Sequence, residues 1–271
     1  MFGNKIEVKT PDQLAHMRQA GLVVAAVIDS LRSAVAPGVT TAELNDVAHE
    51  TIRSRGAASN FLGYHGFTGV ICTSVNDEIV HGIPGSRKLV AGDIISVDCG
   101  AVVAGWHGDA AITLPVGEVA QEHVKLLQTT EEALWRGIAA ARLGGSVGDI
   151  SYAIERFTKS QGKYGITKGF TGHGIGTELH QAPEVPNFGR RGRGPKLVDG
   201  VVLAIEPMIT LGSSDAVILA DDWTAVTPDG SWAAHFEHTV AITEAGLSVL
   251  TDPDGGEARL AAFDVPFVAF D

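Results

Sequence analysis

Apolar positions recur at helical spacing in four segments of the chain, and they predict four long helices. The segments lie at about residues 10–37, 40–56, 120–144 and 146–162. The first opens on Thr10, with Gln13 three positions later, and the second opens on Thr40, with Glu43 at the same distance. A threonine followed by Gln or Glu at this spacing closes a capping box, so both helix starts are well defined.

The pattern repeats within the chain. Gly38, Thr40 and Glu43 correspond to glycine, serine and aspartate displaced by 106 positions (38 to 144). A second match aligns residues 88–98 with 196–206, displaced by 108 positions (88 to 196), and each copy reads as a turn, a β-rich strand and a final carboxylate. Two similar displacements in the same order indicate an internal duplication of one helix-helix-strand unit.

This duplication predicts an α+β fold. We expect two halves, about 10–118 and 119–251, related by a pseudo-twofold axis, with outer helices packed on a shared central antiparallel sheet. No linker composition separates the halves, so residues 10–251 are interpreted as one domain. Residues 1–9 form an N-terminal arm in this scheme, and residues 252–271 form a C-terminal tail without a predicted role.

Charge and composition limit the function classes. The formal net charge is −12 and the isoelectric point is about 5.2, which argues against DNA or anionic membranes as general partners. One basic cluster, residues 190–196, is either a solvated glycine-rich loop or a local anchor for a polyanion such as ribosomal RNA. Two cysteines, no apolar signal core and no apolar run as long as a membrane span lead us to expect a cytoplasmic protein.

Five side chains stand out as candidates for chemistry. Asp98 and Asp109 flank a predicted hairpin turn that would return Asp109 opposite Asp98, and Glu206 follows an apolar strand. Glu237 lies in a strand predicted over residues 233–241, and His173 sits in a glycine-rich turn. Each of them taken singly is equally consistent with a cap, a turn or a solvent-facing position. The duplication, however, predicts that Asp98 and Glu206, the final carboxylates of the two repeated segments, meet in one space between the halves.

Four clustered carboxylates would repel one another, and two divalent cations would neutralise them. A donor set of carboxylate oxygens with one imidazole suits harder ions such as Mn²⁺, Fe²⁺ or Co²⁺, in contrast to the thiolate ligands typical of structural zinc sites. We therefore expect a centre of two divalent ions, with Co, Mn, Fe and Zn all open, that activates water and polarises a carbonyl.

The same five residues and the strings around them resemble the type I methionine aminopeptidases, which have the pita-bread fold. The strings are in family order and span roughly residues 10 to 250. They are LGYHGF (62–67), TSVN (73–76), VHGIP (80–84), VDCG (97–100), WHGD (106–109), GHGIG (172–176), IEPM (205–208) and FEHT (236–239). Jointly they form a specific signature, although each string alone is weak.

The resemblance implies a role for each ligand. Asp98 would chelate one ion, Asp109 and Glu237 would bridge both, and His173 and Glu206 would complete the other. Glu206 would also take a proton from the attacking water.

The resemblance also implies a substrate site beside the metals. His81 would contact the scissile nitrogen and His180 the carbonyl oxygen, so the catalytic set is His81, His180 and Glu206. The methionine pocket would be lined by four side chains, for which core packing is the alternative interpretation: Tyr64, Phe67, Cys72 and Trp223.

Several positions depart from the family pattern. Phe67 stands where the family often has tyrosine, and Leu179 replaces a common phenylalanine, which would widen the pocket. Residues 181–183 lack the acidic side chains often found there. Residues 213–229 are acidic where a basic ribosome-facing loop would be expected, which argues against that mode of docking.

The function implied is removal of the N-terminal methionine from nascent polypeptides with a small second residue, by a monomer with at most transient ribosome contact. Two alternatives remain at this point: another pita-bread hydrolase, such as a prolidase, aminopeptidase P or creatinase-like enzyme, and a non-enzymatic binding homologue. The first usually has a large N-terminal domain, and the second would not need five ligand-competent side chains. The type II subgroup would need an insertion for which the spacing from His173 to Glu206 leaves no room.

Overall fold

The structure, a computed structural model, describes residues 6–270. The predictions for residues 1–5 of the arm and for residue 271 lie outside the described residues. These described residues contain five helices: α1 (Pro11–Ala34), α2 (Thr41–Ser54), α3 (Gln121–Ala140), α4 (Val147–Gln161) and the short α5 (Glu257–Ala261). A single 3₁₀ turn covers Tyr64–Gly66. The four long helices occupy the four segments that the apolar spacing predicts, and the helix starts explain why.

Capping side chains set these starts. The Thr10 hydroxyl accepts a hydrogen bond from the Gln13 amide (3.4 Å), and the Gln13 side chain accepts one from the Thr10 amide (2.9 Å). Thr40 and Glu43 make the same reciprocal pair at α2. Each pair satisfies amide groups that the first helical turn leaves without partners, which stabilises a helix start by about 1 kcal/mol.

Fifteen strands follow the chain in order. They are β1 (Ala58–Ser59), β2 (Ile71–Val75), β3 (Glu78–Val80), β4 (Ile94–Val103), β5 (Trp106–Pro115), β6 (Gly165–Ile166), β7 (Gly172–Gly174), β8 (Gln181–Val185), β9 (Val201–Ile205), β10 (Met208–Thr210), β11 (Val217–Ile218), β12 (Ala225–Val226), β13 (Ala233–His235), β14 (Glu237–Ile242) and β15 (Leu247–Val249).

The strands form one large sheet and two small ones. The large sheet has the order β1-β4-β5-β14-β9-β7-β8, with β2 beside β4 and β15 beside β14. The small sheets have the orders β13-β10-β6 and β11-β12-β3. All the paired strands in residues 6–270 are antiparallel. The predicted α+β architecture with a central antiparallel sheet is therefore confirmed.

The internal duplication appears as matching contacts. The start of α2 bridges the turn before β4 through Thr40 and Lys88, and the start of α4 bridges the turn before β9 through Ser146 and Lys196. The glycines before these helices also correspond: Gly38 donates to the Leu89 carbonyl (2.7 Å), and its counterpart Gly144 donates to the Leu197 carbonyl (2.9 Å). The same local fold is thus built twice at the displacement seen in the sequence.

Three details differ from the strand predictions. Strand β4 does not end at Asp98 but continues to Val103, because the apolar pattern resumes after that residue. Asp109 faces Gly100 rather than Asp98, so the two carboxylates are diagonal neighbours. The predicted single strand over residues 233–241 is interrupted at Phe236, where β13 leaves for a small sheet and β14 joins the large one.

The segments at the two ends pack onto the domain. Val8 bridges Val201 and the Lys9 amide donates to the Gly200 carbonyl (2.8 Å), so the described part of the arm lies along the edge of β9. At the other end, the Val268 amide donates to the Leu247 carbonyl (2.9 Å).

Helix α1 is long and apolar enough to cross a membrane by length and composition alone. In the fold, 56% of its most apolar window is buried, and it packs against α2, β4 and β5. A core helix passes the same test as a membrane span, so the apolar stretch of α1 is accounted for by burial within the domain.

Candidate metal centre and substrate pocket

Five adjacent strands of the large sheet each bring one predicted ligand to a common centre. Across the order β4-β5-β14-β9-β7, Asp98 lies in the first strand, Asp109 in the second and Glu237 at the start of the third. Glu206 directly follows the fourth strand, and His173 is the middle residue of the fifth. The side chains come from both halves of the chain, as the duplication predicts.

The functional atoms lie close together. The His173 Nε2 atom is 3.5 Å from Glu206 Oε1 and 4.0 Å from Asp109 Oδ2. Ligand atoms of Asp109, His173 and Glu237 all lie within 4.8 Å of one another, and the three residues are buried. Asp98 Oδ1, Asp109 Oδ1 and Glu237 Oε1 are buried oxygens without a hydrogen-bond partner among residues 6–270.

Burial shapes the electrostatics of the carboxyl groups. It raises the pKa of Asp98 to about 7. Burial, together with the charge of neighbouring carboxylates, raises the pKa of Asp109, Glu206 and Glu237 well above the ordinary range. In the part of the chain that the structure describes, no lysine or arginine forms an ion pair with any of them. The negative charge of this cluster would therefore be balanced by a bound cation rather than by a basic side chain of the described residues.

The histidines around the centre are neutral at physiological pH. Burial lowers the pKa of His173 to about 4, and burial lowers the pKa of His81 to about 4. Burial and, secondarily, the nearby imidazoles lower the pKa of His180 to about 3. The contacts of His173 with carboxylates are thus not ion pairs, and its Nε2 lone pair suits a metal ion.

The donor set fits divalent cations. Four carboxylates, three of them with an oxygen that lacks a partner, surround a neutral imidazole, and a buried cluster of this kind is stable when cations neutralise it. When bound, such ions act as Lewis acids that polarise a carbonyl and lower the pKa of water.

A pocket of about 460 Å³ opens beside this centre, and every predicted substrate residue lines it. The Tyr64 hydroxyl is 2.7 Å from His180 Nδ1, and the His180 ring centroid is 4.3 Å from that of His173. The Trp223 ring meets the Phe67 ring edge-on at 5.0 Å and the His81 ring at 6.0 Å. Leu179 also lines the pocket, at the position where the sequence predicts a wider pocket, and three further lining residues are not among the predicted ones: Phe61, His65 and Asp222.

The backbone around His81 is tightly constrained. His81 itself has a positive φ of 62°, which non-glycine residues rarely adopt. The next residue, Gly82, lies against β2, where an added Cβ would be only 2.1 Å from the Thr73 carbonyl oxygen. The Gly82 amide donates to Ser74 Oγ (3.1 Å) and its carbonyl accepts from the Thr73 amide (2.8 Å). A glycine at this position lets the chain pass β2 while it presents His81 to the pocket.

His235 is the residue beside the centre that the sequence analysis did not select. It is 2% exposed, and its Nε2 atom lies 3.7 Å from Glu206 Oε2 and 3.8 Å from Glu237 Oε2. Its ligand atom and those of the two glutamates form a second compact group. Period-2 alternation places His235 and Glu237 on one face, and that was the available signal.

The sequence profile of metallopeptidase family M24 matches residues 15–244. The chain belongs to this family. It is 48% identical over 243 residues to methionine aminopeptidase 1 of Bacillus subtilis, covering 90% of this chain and 98% of that protein. The crystal structure of a methionine aminopeptidase from Thermotoga maritima has a TM-score of 0.89 at 41% identity, covering 92% of this chain and all of that one.

More distant solved structures show a likeness of fold alone. The prolidase from Pyrococcus furiosus superposes with a TM-score of 0.72 at 21% identity, and this chain covers 65% of it. The pita-bread fold is therefore confirmed. The high-identity relatives lie in the aminopeptidase branch, as the resemblance implies.

Proposed function

We propose that this metallopeptidase removes the N-terminal methionine from nascent polypeptides, favouring a small second residue. The observation that carries the proposal is the convergence of four carboxylates and one neutral imidazole, from five adjacent strands, beside an apolar pocket. Identities near 48% to methionine aminopeptidases over most of both chains support the same activity.

Two divalent ions would be held by the five predicted ligands, which are Asp98, Asp109, His173, Glu206 and Glu237. The ions supply Lewis acidity towards the substrate carbonyl and the attacking water. Their identity is left to experiment, because this donor set accepts Mn²⁺, Co²⁺, Fe²⁺ and Zn²⁺.

The protein's own groups handle substrate and protons. Glu206 accepts a proton from the attacking water, a role favoured by the burial that raises its pKa. The Tyr64 hydroxyl lies 2.7 Å from His180 Nδ1, and in the tautomer with the proton on Nε2 the hydroxyl donates to Nδ1 while the Nε2–H donates a hydrogen bond to the carbonyl oxygen as negative charge develops there. His81, which lines the same pocket, would hydrogen-bond the scissile nitrogen.

The pocket selects methionine by shape and softness. Phe67 and Cys72 are 3% and 5% exposed and give an apolar wall, and the edge-on Trp223 ring closes one side. A flexible thioether fills such an irregular apolar space and makes favourable sulfur–aromatic contacts.

The test is hydrolysis of Met-Ala-Ser, Leu-Ala-Ser, Ala-Pro and N-acetyl-Met-Ala-Ser by metal-stripped protein, before and after addition of Co²⁺ or Mn²⁺. We expect metal-dependent cleavage of Met-Ala-Ser alone. Cleavage of Ala-Pro instead would move the protein to the prolidase branch. Absence of cleavage with any of the ions would favour a binding homologue.

We further propose that the enzyme works as a cytoplasmic monomer that contacts the ribosome through an arginine surface. Four arginines line an open groove of about 790 Å³ between α3 and α4, and the basic loop 190–196 borders it. They are Arg136, Arg142, Arg156 and Arg191. Their positive charge stands out on a chain of net charge −12 and would suit ribosomal RNA phosphates.

Ribosome co-sedimentation at increasing salt tests this contact. A variant with Arg142→Glu and Arg156→Glu should lose binding and the salt dependence of binding, whereas Arg55→Glu, an exposed arginine of the other half, should not. Equal binding by both variants would exclude this surface, and sedimentation velocity would test the monomer.

A further inference from the structure

His235 ends β13 one residue before the chain switches from a small sheet to the large one. The switch turns its side chain and that of Glu237 towards the same space. The His235 Nε2 atom is buried and has no hydrogen-bond partner within residues 6–270. Its two nearest carboxylate oxygens, Glu206 Oε2 at 3.7 Å and Glu237 Oε2 at 3.8 Å, lie just beyond hydrogen-bond distance.

The backbone of His235 is fixed from the neighbouring strand. The Thr113 hydroxyl donates to the His235 carbonyl (2.8 Å) and accepts from the His235 amide (2.8 Å). A further contact of 2.9 Å joins Thr113 Oγ1 to Ser96 Oγ. The imidazole therefore projects from an anchored point, and small side-chain rotations are enough to bring its Nε2 atom onto either glutamate.

The centre has a surplus of hydrogen-bond acceptors. Each carboxylate offers two oxygens, and those that do not bind an ion need a donor. Glu206 lies between two imidazoles, with Oε1 3.5 Å from His173 and Oε2 3.7 Å from His235. With His173 on the Oε1 side, the oxygen that needs a donor is Oε2, and a neutral imidazole carries one N–H.

We propose that His235 is a positioning residue that donates its Nε2–H to Glu206 Oε2, with Glu237 Oε2 as the neighbouring acceptor. Held in this way, Glu206 presents Oε1 to the side of the centre where His173 lies. The inference rests on the proposed metal role of Glu206. The competing role for His235 Nε2 is that of an additional metal ligand. A hydrogen-bond donor carries a proton on Nε2, whereas a metal ligand binds through the Nε2 lone pair, so the two roles exclude each other.

Two variants separate these roles. His235→Gln provides an amide N–H at a reach similar to that of Nε2 but no imidazole, whereas His235→Leu provides neither a donor nor a ligand. His238→Gln is the matched control, because this histidine of the same segment contacts Thr251 and Trp135 instead of the carboxylates. Circular dichroism of each stripped protein verifies folding before metal is added.

Calorimetric titration with Mn²⁺ and the visible absorption of the Co²⁺-loaded protein are the readouts. We expect His235→Leu to weaken ion binding about 10- to 100-fold, since this is the usual cost of losing a group that orients a ligand. His235→Gln should return to within a few-fold of the parent protein, with unshifted Co²⁺ bands.

Three outcomes would overturn the inference. Equal losses in both variants with shifted Co²⁺ bands would make His235 a ligand, and unchanged binding in His235→Leu would leave it a packing residue. A loss in His238→Gln as large as in His235→Leu would make the effect unspecific. Failure of the unmodified protein to bind ions at all would instead refute the proposed metal centre, so the two failures are distinguishable.

Discussion

Thr239 supports the backbone of Asp109, and its replacement by valine is the sharpest test of how the sheet holds the site. Strands β5 and β14 pair directly only at Ala110 and Ala111. At the next position, the Asp109 amide donates to Thr239 Oγ1 (3.0 Å) and the same hydroxyl donates to the Asp109 carbonyl (2.8 Å). Thr239 is fully buried, so water cannot easily replace the hydroxyl.

The expected cost follows from those two bonds. Thr239→Val keeps the shape of the side chain but leaves one buried amide and one buried carbonyl without a partner. Each unsatisfied group costs about 1–3 kcal/mol, so for two groups the free energy of unfolding should fall by about 2–6 kcal/mol. Thr239→Ser keeps the hydroxyl and loses one methyl, which costs about 1 kcal/mol.

Urea unfolding of the metal-stripped variants measures the difference between valine and serine at this position. The slope against urea should stay constant, because the surface exposed on unfolding does not change. A valine variant within about 0.5 kcal/mol of the serine variant would refute the reasoning, since ordinary surface-like substitutions fall in that range. Mn²⁺ affinity should fall in the same order, because Asp109 would no longer be held against the centre.

Three other predictions concern the arm, the ions and the pocket. Burial lowers the pKa of Lys9 to about 8 against an ordinary 10.5, so stability should rise between pH 8 and 10.5 by up to about 3 kcal/mol. In the stripped protein, Lys9→Met should abolish this rise in urea unfolding, and an unchanged slope would contradict it. EDTA should lower the melting temperature, since ions at a hundredfold excess over Kd stabilise by about 3 kcal/mol, and calorimetry with Mn²⁺ restored checks this. Leu179→Ala should enlarge the pocket, because Leu179 lines it, and so raise the cleavage of Leu-Ala-Ser relative to Met-Ala-Ser in peptide assays. An unchanged ratio would show that Leu179 does not determine the choice of the first residue.

Local signals in the sequence predict much of the fold because the structure uses them locally. Thr10 and Thr40 start helices through hydrogen bonds that span three residues, so a short window contains all the participants. The internal duplication seen in the sequence is found in the structure for a similar reason. Each half repeats the same helix start against the same turn, seen in the bridges of Thr40 and Ser146.

Long-range pairing is what the local pattern could not provide. The register that places Asp109 opposite Gly100 depends on the turn between β4 and β5. The break at Phe236 depends on which sheet each flanking segment pairs with. His235 illustrates the consequence. Alternation gives its face, but its carboxylate neighbour Glu206 and its anchor Thr113 lie far away in the chain.

The two threonines together explain how a metal centre fits inside a hydrogen-bonded sheet. Asp109 lies beside Thr239 at one end of the short β5–β14 ladder, and His235 lies beside Thr113 at the other. At both ends a threonine hydroxyl accepts a hydrogen bond from one amide and donates one to the carbonyl of the same residue. In a regular ladder these amides and carbonyls would bond directly to the backbone of the neighbouring strand, whereas here a threonine hydroxyl takes that place at both ends. Because both threonines are buried and each hydroxyl bonds both backbone groups of its partner, the backbones of Asp109 and His235 are held by the sheet itself rather than by loops.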